Sequence, residues 1–284
     1  MKNNLNKISY NSNPQLRHPL RLLISMWQDL FSSKELAWRL FLRNISSMYR
    51  QTMLGYVWAF LPPLATTFTF VFLNKAKIFT IGATDIPYPA YVMIGTLLWQ
   101  GFADAINSPI RAINQAKSFL TKMNFPREAI ILAGIAEVIF NFMIRLVLFI
   151  VVIILYKISL PATALLAPLG IITIIALGLM IGVLLAPIGV LFQDIEKALP
   201  LVLSMWMLLT PVVYPPPTTW PISLLSSINP ISSLLITTRE MLTSGIFTNL
   251  FGFLVISIST IILLFIGWMI FRLALPHLIE RINI

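Results

Sequence analysis

The chain contains 284 residues, of which 58% are hydrophobic and only 11% are charged. Soluble domains carry about 25% charged residues, so this composition excludes an ordinary soluble protein of 32.0 kDa. Cysteine is absent, which excludes a disulfide framework and a thiolate metal site, and we expect no metal site of another kind. In a membrane protein, a net charge of +10 is more typical of cytoplasmic loops than of nucleic-acid binding.

The chain begins with a polar segment, residues 1–32, which we interpret as a cytoplasmic N-terminal tail. Residues 33–50 follow with helical periodicity, and Ser32 with Glu35 has the spacing of a capping box. Glu35, Arg39, Arg43 and Arg50 share one narrow face, opposite a broad aromatic-rich side. This pattern predicts an amphipathic helix that lies in the membrane interface.

Six apolar stretches approach the roughly 20 residues that a membrane helix needs. The predicted fold is therefore an all-α integral membrane protein with six transmembrane helices, an N-terminal interfacial helix and one membrane domain over residues 33–272. Residues 273–284 form a cytoplasmic tail in this prediction. The predicted spans are residues 54–73, 90–105, 130–156, 165–192, 199–214 and 250–271.

The distribution of Lys and Arg between the predicted loops gives the orientation. With the N-terminus inside, 15 of the 20 basic residues lie on the inner side and four on the outer side, while Arg145 falls within a span. Both termini are therefore predicted to be cytoplasmic. The inner set is Lys2, Lys7, Arg17, Arg21, Lys34, Arg39, Arg43, Arg50, Arg111, Lys117, Lys122, Arg127, Lys197, Arg272 and Arg281.

Residues 106–127 form the longest predicted inner loop. Ser108-Pro109 is a typical helix start, with proline at the first helical position, and Pro126 is a typical stop. A short cytoplasmic helix that faces a partner is one interpretation of this segment. A basic loop held to anionic lipid is the other.

The outer segment between the fifth and sixth spans is rich in proline and yet apolar. Pro215, Pro216, Pro217 and Pro221 exclude a continuous helix, and two helix-like runs are separated at Asn229-Pro230. Non-helical backbone at membrane depth is tolerated only where protein or a water cavity surrounds it. We therefore predict re-entrant half-helices that form an outer gate, with a surface loop on lipid headgroups as the alternative.

Three polar residues, Glu137, Asn141 and Arg145, repeat every four positions on the third span and so share one helix face. Arg145 lies near the middle of its span and needs a partner, for which Asp104 at the inner end of the second span is a candidate. Two interpretations compete. The polar stripe either contacts substrate or a proton, or it clamps helices together, and the second is favoured because no histidine accompanies it.

The sequence contains no glycine followed by lysine, so the phosphate-binding P-loop is missing and ATP hydrolysis through that motif is excluded. No nucleophile elbow of the form GxSxG is present either. The ten carboxylates are scattered along the chain instead of gathering at one membrane face. We therefore expect a transporter subunit without a catalytic residue.

Several motifs occur in a specific order along the chain. RLFLRNISSMYRQTMLGYVWAFLPP at 39–63 resembles the entry to the first span of type-2 ABC permeases that export polysaccharides. The motifs MNFPRE, FQDIEKALPLVLSMWMLLTPVVYP and INPISSLLITTRE are similar to later segments of the same family. The resemblance covers residues 35–272 and identifies the chain as a member of the O-antigen, capsule and teichoic-acid export permeases.

This resemblance implies a homodimer in the bacterial inner membrane, with a pair of separate ATPase subunits on the cytoplasmic side. ATP and Mg²⁺ would bind to those partner subunits, and this chain itself would hold no cofactor. The cargo would be a lipid-linked polysaccharide that crosses the bilayer through a channel of the homodimer, and membrane lipids would surround the protein. The implied ATPase-docking residues are Arg39, Arg43, Arg111, Lys117, Phe119, Lys122 and Phe125.

The resemblance also implies a cytoplasmic entrance and an outer gate, with the first and fifth spans lining the channel. The entrance residues are Arg50, Leu54, Gly55, Tyr56 and Trp58, and the gate residues are Tyr214, Pro215, Trp220, Asn229, Pro230 and Arg239. From the residues alone, Gly55 permits a tight turn and Pro62-Pro63 predicts a kink in the first span.

Two alternative functions share parts of this pattern. One is a type-2 ABC permease for a drug, a lipid or a small molecule, which has the same six-span plan but usually lacks the proline-rich outer segment. The other is a membrane enzyme that acts on lipid-linked sugars. An enzyme would need acidic residues together at one membrane face, and its candidates are Asp104, Glu137, Asp194 and Glu196.

Overall fold

The computed structural model describes residues 19–50, 52–78, 81–120 and 128–282, and all regular structure within these ranges is helical. The all-α prediction is therefore confirmed for the described chain. Two short 3₁₀ helices, Gly55–Ala59 and Ala162–Leu166, come before α3 and α6. The α-helices are α1 Pro19–Ser32, α2 Lys34–Arg50, α3 Leu61–Lys75, α4 Tyr88–Leu120, α5 Glu128–Tyr156, α6 Ala167–Leu191, α7 Gln193–Leu209, α8 Ile222–Ile228, α9 Pro230–Thr243 and α10 Leu250–Ile282.

Three stretches of the described chain are long and apolar enough to cross a membrane: Glu128–Tyr156, Ala162–Leu191 and Leu250–Ala274. They coincide with the third, fourth and sixth predicted spans. Their outer faces carry large apolar side chains that are exposed on the protein surface, such as Ile154 and Ile261. Such a surface requires an apolar solvent, so the chain is a multi-pass membrane protein.

Helix α4 is the centre of the bundle, because it packs along both α5 and α6, and α10 covers another side of α6. Phe102 and Ile106 of α4 are fully buried at the contact with α6. Close approach of the two helices depends on Gly182, where a Cβ atom would lie 2.4 Å from the carbonyl oxygen of Ile106. Small residues allow membrane helices to pack in this way.

The helix start predicted at Ser108-Pro109 is wrong, because α4 contains the second predicted span and continues from Tyr88 to Leu120 without a break. Pro109 lies inside α4 and does not start a new helix. A proline in a helix interior costs about 3 kcal/mol. Burial of each isoleucine around it, compared with exposure of that side chain to water, stabilises the helix by about 1.5–3 kcal/mol. The buried isoleucines are Ile106, Ile110 and Ile113.

The predicted kink in the first span is also wrong. The 3₁₀ helix Gly55–Ala59 comes first, and α3 begins only at Leu61, so Pro62 and Pro63 lie in the first turn of α3. Proline costs nothing at that position, since the N–H groups of the first turn have no partner within the helix. The tight turn expected at Gly55 is present, with a φ of 49°.

Both predicted tails contain helix, and the helix at the fifth predicted span has other bounds than predicted. Residues 19–32 form α1, and α10 continues through residues 273–282. Helix α7 begins at Gln193 and ends at Leu209, so residues 210–214 form a turn and are not the end of a span. Polar residues at the start of α7 concealed its first turns from the hydropathy pattern.

Candidate functional site

The region between α7 and α10 has the break that its prolines predicted. Helices α8 and α9 are separated at Asn229, which has an extended backbone, and Pro230 is the first residue of α9. We call residues 210–243 the broken segment. Helix α9 is buried around most of its circumference although it is rich in polar residues, which include Ser232, Ser233, Thr237, Thr238 and Arg239. The turn that follows α7 is buried at residues 211–213, whereas most of residues 216–221 are exposed.

Arg239 holds the turn that follows α7. Its Nη2 atom donates hydrogen bonds to the carbonyl oxygens of Pro211, at 3.1 Å, and of Val212, at 2.7 Å. The guanidinium carbon lies 3.8 Å from the ring centroid of Tyr91 on α4, in a cation–π contact. Gly95 makes room for this arrangement, because a Cβ atom there would lie 2.1 Å from the carbonyl oxygen of Val212.

Two tyrosines at the start of α4 extend this clamp. The hydroxyl of Tyr88 donates to the carbonyl oxygen of Val213, and that of Tyr91 donates to the carbonyl oxygen of Tyr214, both at 3.1 Å. Tyr214 in turn donates its hydroxyl hydrogen to the carbonyl of Leu208, at 2.9 Å. Four successive carbonyl groups, from residue 211 to residue 214, are thus bonded by side chains of α4 and α9.

Asn229 connects the break between α8 and α9 to the end of α7. Its Oδ1 atom accepts a hydrogen bond from the indole N–H of Trp206, at 3.1 Å, and its Nδ2 atom donates to Thr210 Oγ1, at 2.8 Å. The Trp206 ring packs edge-on against Trp99 and Phe102 of α4. Trp206 is therefore part of the support of the broken segment.

The structure brings most of the predicted gate residues together, but not all of them. Tyr214, Asn229 and Arg239 share the network described above. Pro215 lies over Gly82, on the same side of the bundle. Trp220 is 81% exposed and contributes nothing to the network. The role of these residues as a gate stays a prediction.

The polar stripe of α5 contacts three neighbouring elements, which are α4, the first 3₁₀ helix and α2. Arg145 Nη1 lies 2.6 Å from Asp104 Oδ2 on α4, and its Nε atom donates to the carbonyl oxygen of Ala59, at 3.2 Å. Glu137, two turns away, accepts a hydrogen bond of 2.6 Å from the side-chain amide of Asn44 on α2. Asn141 between them is buried. Each end of the stripe joins α5 to another element, as the clamp interpretation requires.

Helix α2 crosses α5 with its apolar face inward. Phe41 and Ile45 pack against Ala133 of α5. On the polar side, Arg39 forms an exposed ion pair with Glu35, at 2.6 Å, which is the i, i+4 spacing of a surface helix. The amphipathic pattern of α2 is thus present, and part of its apolar side packs on protein. Its location in the membrane interface stays a prediction.

The entrance and docking residues that the structure describes lie at the α2 end of the bundle. Leu54, Tyr56 and Trp58 are about half exposed around the 3₁₀ helix.

Arg43 and Arg111 line one cleft of about 470 Å³ between α2, α4 and α5, which we call the basic cleft. Its lining consists of Arg43, Asn44, Ser47 and Met48 of α2, Arg111 and Gln115 of α4, and Glu137 of α5. Lys122 and Phe125 lie outside the described residues, and the side chains of Arg50, Lys117 and Phe119 lie outside the described part as well.

Sequence reasoning missed an ion-pair cluster around Arg272 on α10. Its Nη1 atom lies 2.7 Å from Glu128 Oε1 at the start of α5, and its Nη2 atom pairs with Asp29 of α1. Ser25 of α1 also accepts a hydrogen bond from this guanidinium, at 3.2 Å. The partners are separated by more than a hundred positions in the sequence, so no local pattern reveals the cluster. It explains why α1 is ordered against the bundle.

The four carboxylates that an enzyme would need do not form a constellation. Asp104 pairs with Arg145 and Glu137 with Asn44, while Glu196 accepts a hydrogen bond from Asn114, at 2.6 Å, beside a second cavity of about 400 Å³. Asp194 is exposed at the start of α7. Each paired carboxylate is occupied by a different partner, which suits positioning of helices better than catalysis.

We expect the Arg145–Asp104 pair to stabilise the contact between α4 and α5. Substitution of Arg145→Met leaves a partly buried carboxylate without its cation and should lower the free energy of unfolding by about 3 kcal/mol. The double substitution Arg145→Met with Asp104→Leu should cost clearly less than the sum of the single changes. Unfolding of the four proteins in mixed micelles gives the coupling energy. Additive effects would show that the ion pair contributes nothing.

We also expect the indole N–H of Trp206 to hold the broken segment. Trp206→Phe keeps an aromatic ring but removes the donor to Asn229, at a cost of about 1 kcal/mol. Backbone hydrogen exchange over residues 222–243 should become about fivefold faster. Trp99→Phe is the matched control, since Trp99 belongs to the same ring cluster and donates no hydrogen bond to a described residue. Equal exchange in both variants would contradict the assigned role.

Comparison with known proteins gives one consistent result. The chain is similar to the O-antigen export system permease protein RfbA of Myxococcus xanthus, with 27% identity over 217 residues, which cover 75% of this chain and 82% of that protein. Two permeases with the same name from Klebsiella pneumoniae are 23% and 24% identical and cover 72% and 81% of this chain, and 78% and 88% of their own lengths. The family model described as ABC-2 type transporter matches residues 35–243, from α2 to the end of α9. The chain therefore belongs to the ABC-2 type transporter family, in agreement with the permease resemblance of its sequence motifs.

Proposed function

We propose that this chain is the permease subunit of an ATP-driven exporter that moves a lipid-linked polysaccharide out of the cytoplasm. The observation that carries this proposal is the similarity to three O-antigen export permeases over 72–81% of the chain, within the matched family. The chain has no P-loop, so a separate ATPase must supply the energy. Two copies of the permease with two ATPase subunits form the transporter in this proposal, and the ATPases bind ATP and Mg²⁺.

The proposed topology has six spans in the bacterial inner membrane with both termini in the cytoplasm. Helices α3, α4 and α7 supply the three spans that length and hydropathy alone do not identify. Their packing supports this assignment, because α5 and α7 run antiparallel to α4. Arg145 and Gly134 of α5 meet Asp104 and Ser108 of α4. Trp206, late in α7, meets Trp99, and Glu196, early in α7, meets Asn114 further along α4.

In this proposal, the broken segment is a re-entrant outer gate, and the turn at Leu54-Gly55 is part of the cytoplasmic entrance. The support is structural: side chains of α4 and α9 donate hydrogen bonds to the carbonyl groups of residues 211–214, and such bonding is the condition for non-helical backbone at membrane depth. A type-2 permease for small molecules usually lacks this proline-rich segment, so that alternative is disfavoured. An enzyme is disfavoured because the candidate carboxylates are paired separately.

The topology can be tested with single cysteines, since the natural chain has none. Six spans place Thr218 outside and Lys197 inside. If only α5, α6 and α10 crossed the membrane, residues 197 and 218 would lie on the same side. We expect a membrane-impermeant maleimide added to intact spheroplasts to label Thr218→Cys and not Lys197→Cys. After lysis both should react, because both residues are exposed. Labelling of both or of neither in intact spheroplasts would contradict six spans.

The function is tested first by purification of the tagged chain in mild detergent. We expect a P-loop ATPase to co-purify in equal amount, in a two-plus-two assembly whose mass light scattering measures. Export of lipid-linked glycan should stop in Arg50→Glu cells, because the substitution reverses a charge at the entrance, whereas the assembly should remain. Purification of the chain alone at every detergent strength would overturn the exporter proposal.

A further inference from the structure

The basic cleft contains hydrogen-bond donors that no described group uses. Arg111 of α4, Gln115 one turn further on and Ser47 of α2 line the cleft. None of these three side chains has a hydrogen-bond partner within the ranges that the structure describes. A guanidinium offers five N–H donors, a primary amide two and a hydroxyl one. Donors from two helices therefore converge on one volume, and none of the three is hydrogen-bonded to the Asn44 amide or the Glu137 carboxylate that also line it.

The charges in the cleft favour an anion. Arg43 and Arg111 contribute two positive charges, and Glu137 on the floor contributes one negative charge, so the lining has a net charge of +1. Both guanidiniums interact electrostatically with Glu137. The Glu137 carboxylate is itself 9% exposed and accepts the amide of Asn44. One negative charge is thus needed to balance the cleft, in a position where Arg111 has donors available.

The position of the cleft along α4 corresponds to the surface of a bilayer. Arg111 follows Tyr88 by 23 residues, which is about 34 Å along a helix. The hydrocarbon core is about 30 Å thick, so Arg111 lies at headgroup depth if the start of α4 is at the opposite surface. Met48 adds an exposed apolar side chain to the rim. A headgroup phosphate with an attached acyl chain matches both features.

We propose that the basic cleft binds a singly charged phosphate group, held by Arg111 and Arg43 with Gln115 and Ser47 as further donors. The tetrahedral array of phosphate oxygens suits donors that approach from two helices better than a planar carboxylate does. The phosphate belongs either to the headgroup of an anionic phospholipid or to free phosphate. The inference does not depend on polysaccharide export, and its test requires no export measurement.

The test uses the purified full-length chain, stripped of lipid in a neutral detergent. One titration adds inorganic phosphate, and another adds phosphatidylglycerol in mixed micelles, with phosphatidylcholine as the zwitterionic reference. Binding is measured by native mass spectrometry and by the dependence of thermal unfolding on ligand concentration. Binding of phosphatidylglycerol alone assigns the site to a lipid headgroup. Binding of inorganic phosphate as well assigns it to phosphate in general.

Three variants separate binding from folding. Arg111→Gln should weaken the affinity for the bound probe at least tenfold, because a charged hydrogen bond is lost. Glu137→Gln should strengthen it severalfold, since the opposing charge is removed, and a merely structural role of Glu137 would not have this effect. Arg39→Gln should leave the affinity unchanged, because that guanidinium pairs with Glu35 outside the cleft.

Several results would overturn the proposal. These are the absence of binding by either probe, equal affinities of Arg111→Gln and Arg39→Gln, and weaker binding by Glu137→Gln. If neither probe binds, an acidic side chain of a protein partner becomes the better occupant. Cross-linking from a photoreactive residue at position 47 would then identify that partner.

Discussion

The constraint on which this structure depends is that every backbone carbonyl at membrane depth needs a donor. Between α7 and α10 the chain has too many prolines to form one helix, so consecutive carbonyl groups lose their regular partners. Arg239, Tyr88 and Tyr91 supply the missing hydrogen bonds. The close packing of α4 on the turn, including the glycine at position 95, follows from this requirement. A broken helix is stable here only because other helices complete it.

The same solution occurs at the other irregular part of the bundle. The carbonyl of Ala59, where the 3₁₀ helix ends, accepts a hydrogen bond from Arg145, whose charge is balanced by Asp104. In both places a buried arginine connects a helix interruption to a neighbouring long helix. Placing an arginine in a membrane domain costs free energy, which a structural role can offset as well as a role in transport. Here it stabilises backbone that cannot satisfy itself.

The parts of the fold that were predicted correctly are those with a local physical cause. The break at Asn229-Pro230 and the turn at Gly55 follow from the properties of proline and glycine. The centres of the apolar helices follow from hydropathy. Errors arose where tertiary packing outweighs local preference, as in α4, which continues through Pro109. The cluster around Arg272 and the basic cleft were not predictable, because their members come from helices that are distant in sequence.

Helix α4 connects every part of the site. Its first turns hold the broken segment through Tyr88 and Tyr91, its middle pairs with Arg145 through Asp104, and its last part lines the basic cleft through Arg111. It is continuous over 33 residues, about 50 Å, and Pro109 does not end it. Because a helix is stiff along its axis, a shift of the end that carries Arg111 would move the carbonyl clamp at the end that carries Tyr88. Occupation of the basic cleft would then change the turn at residues 211–214 without any hinge between them.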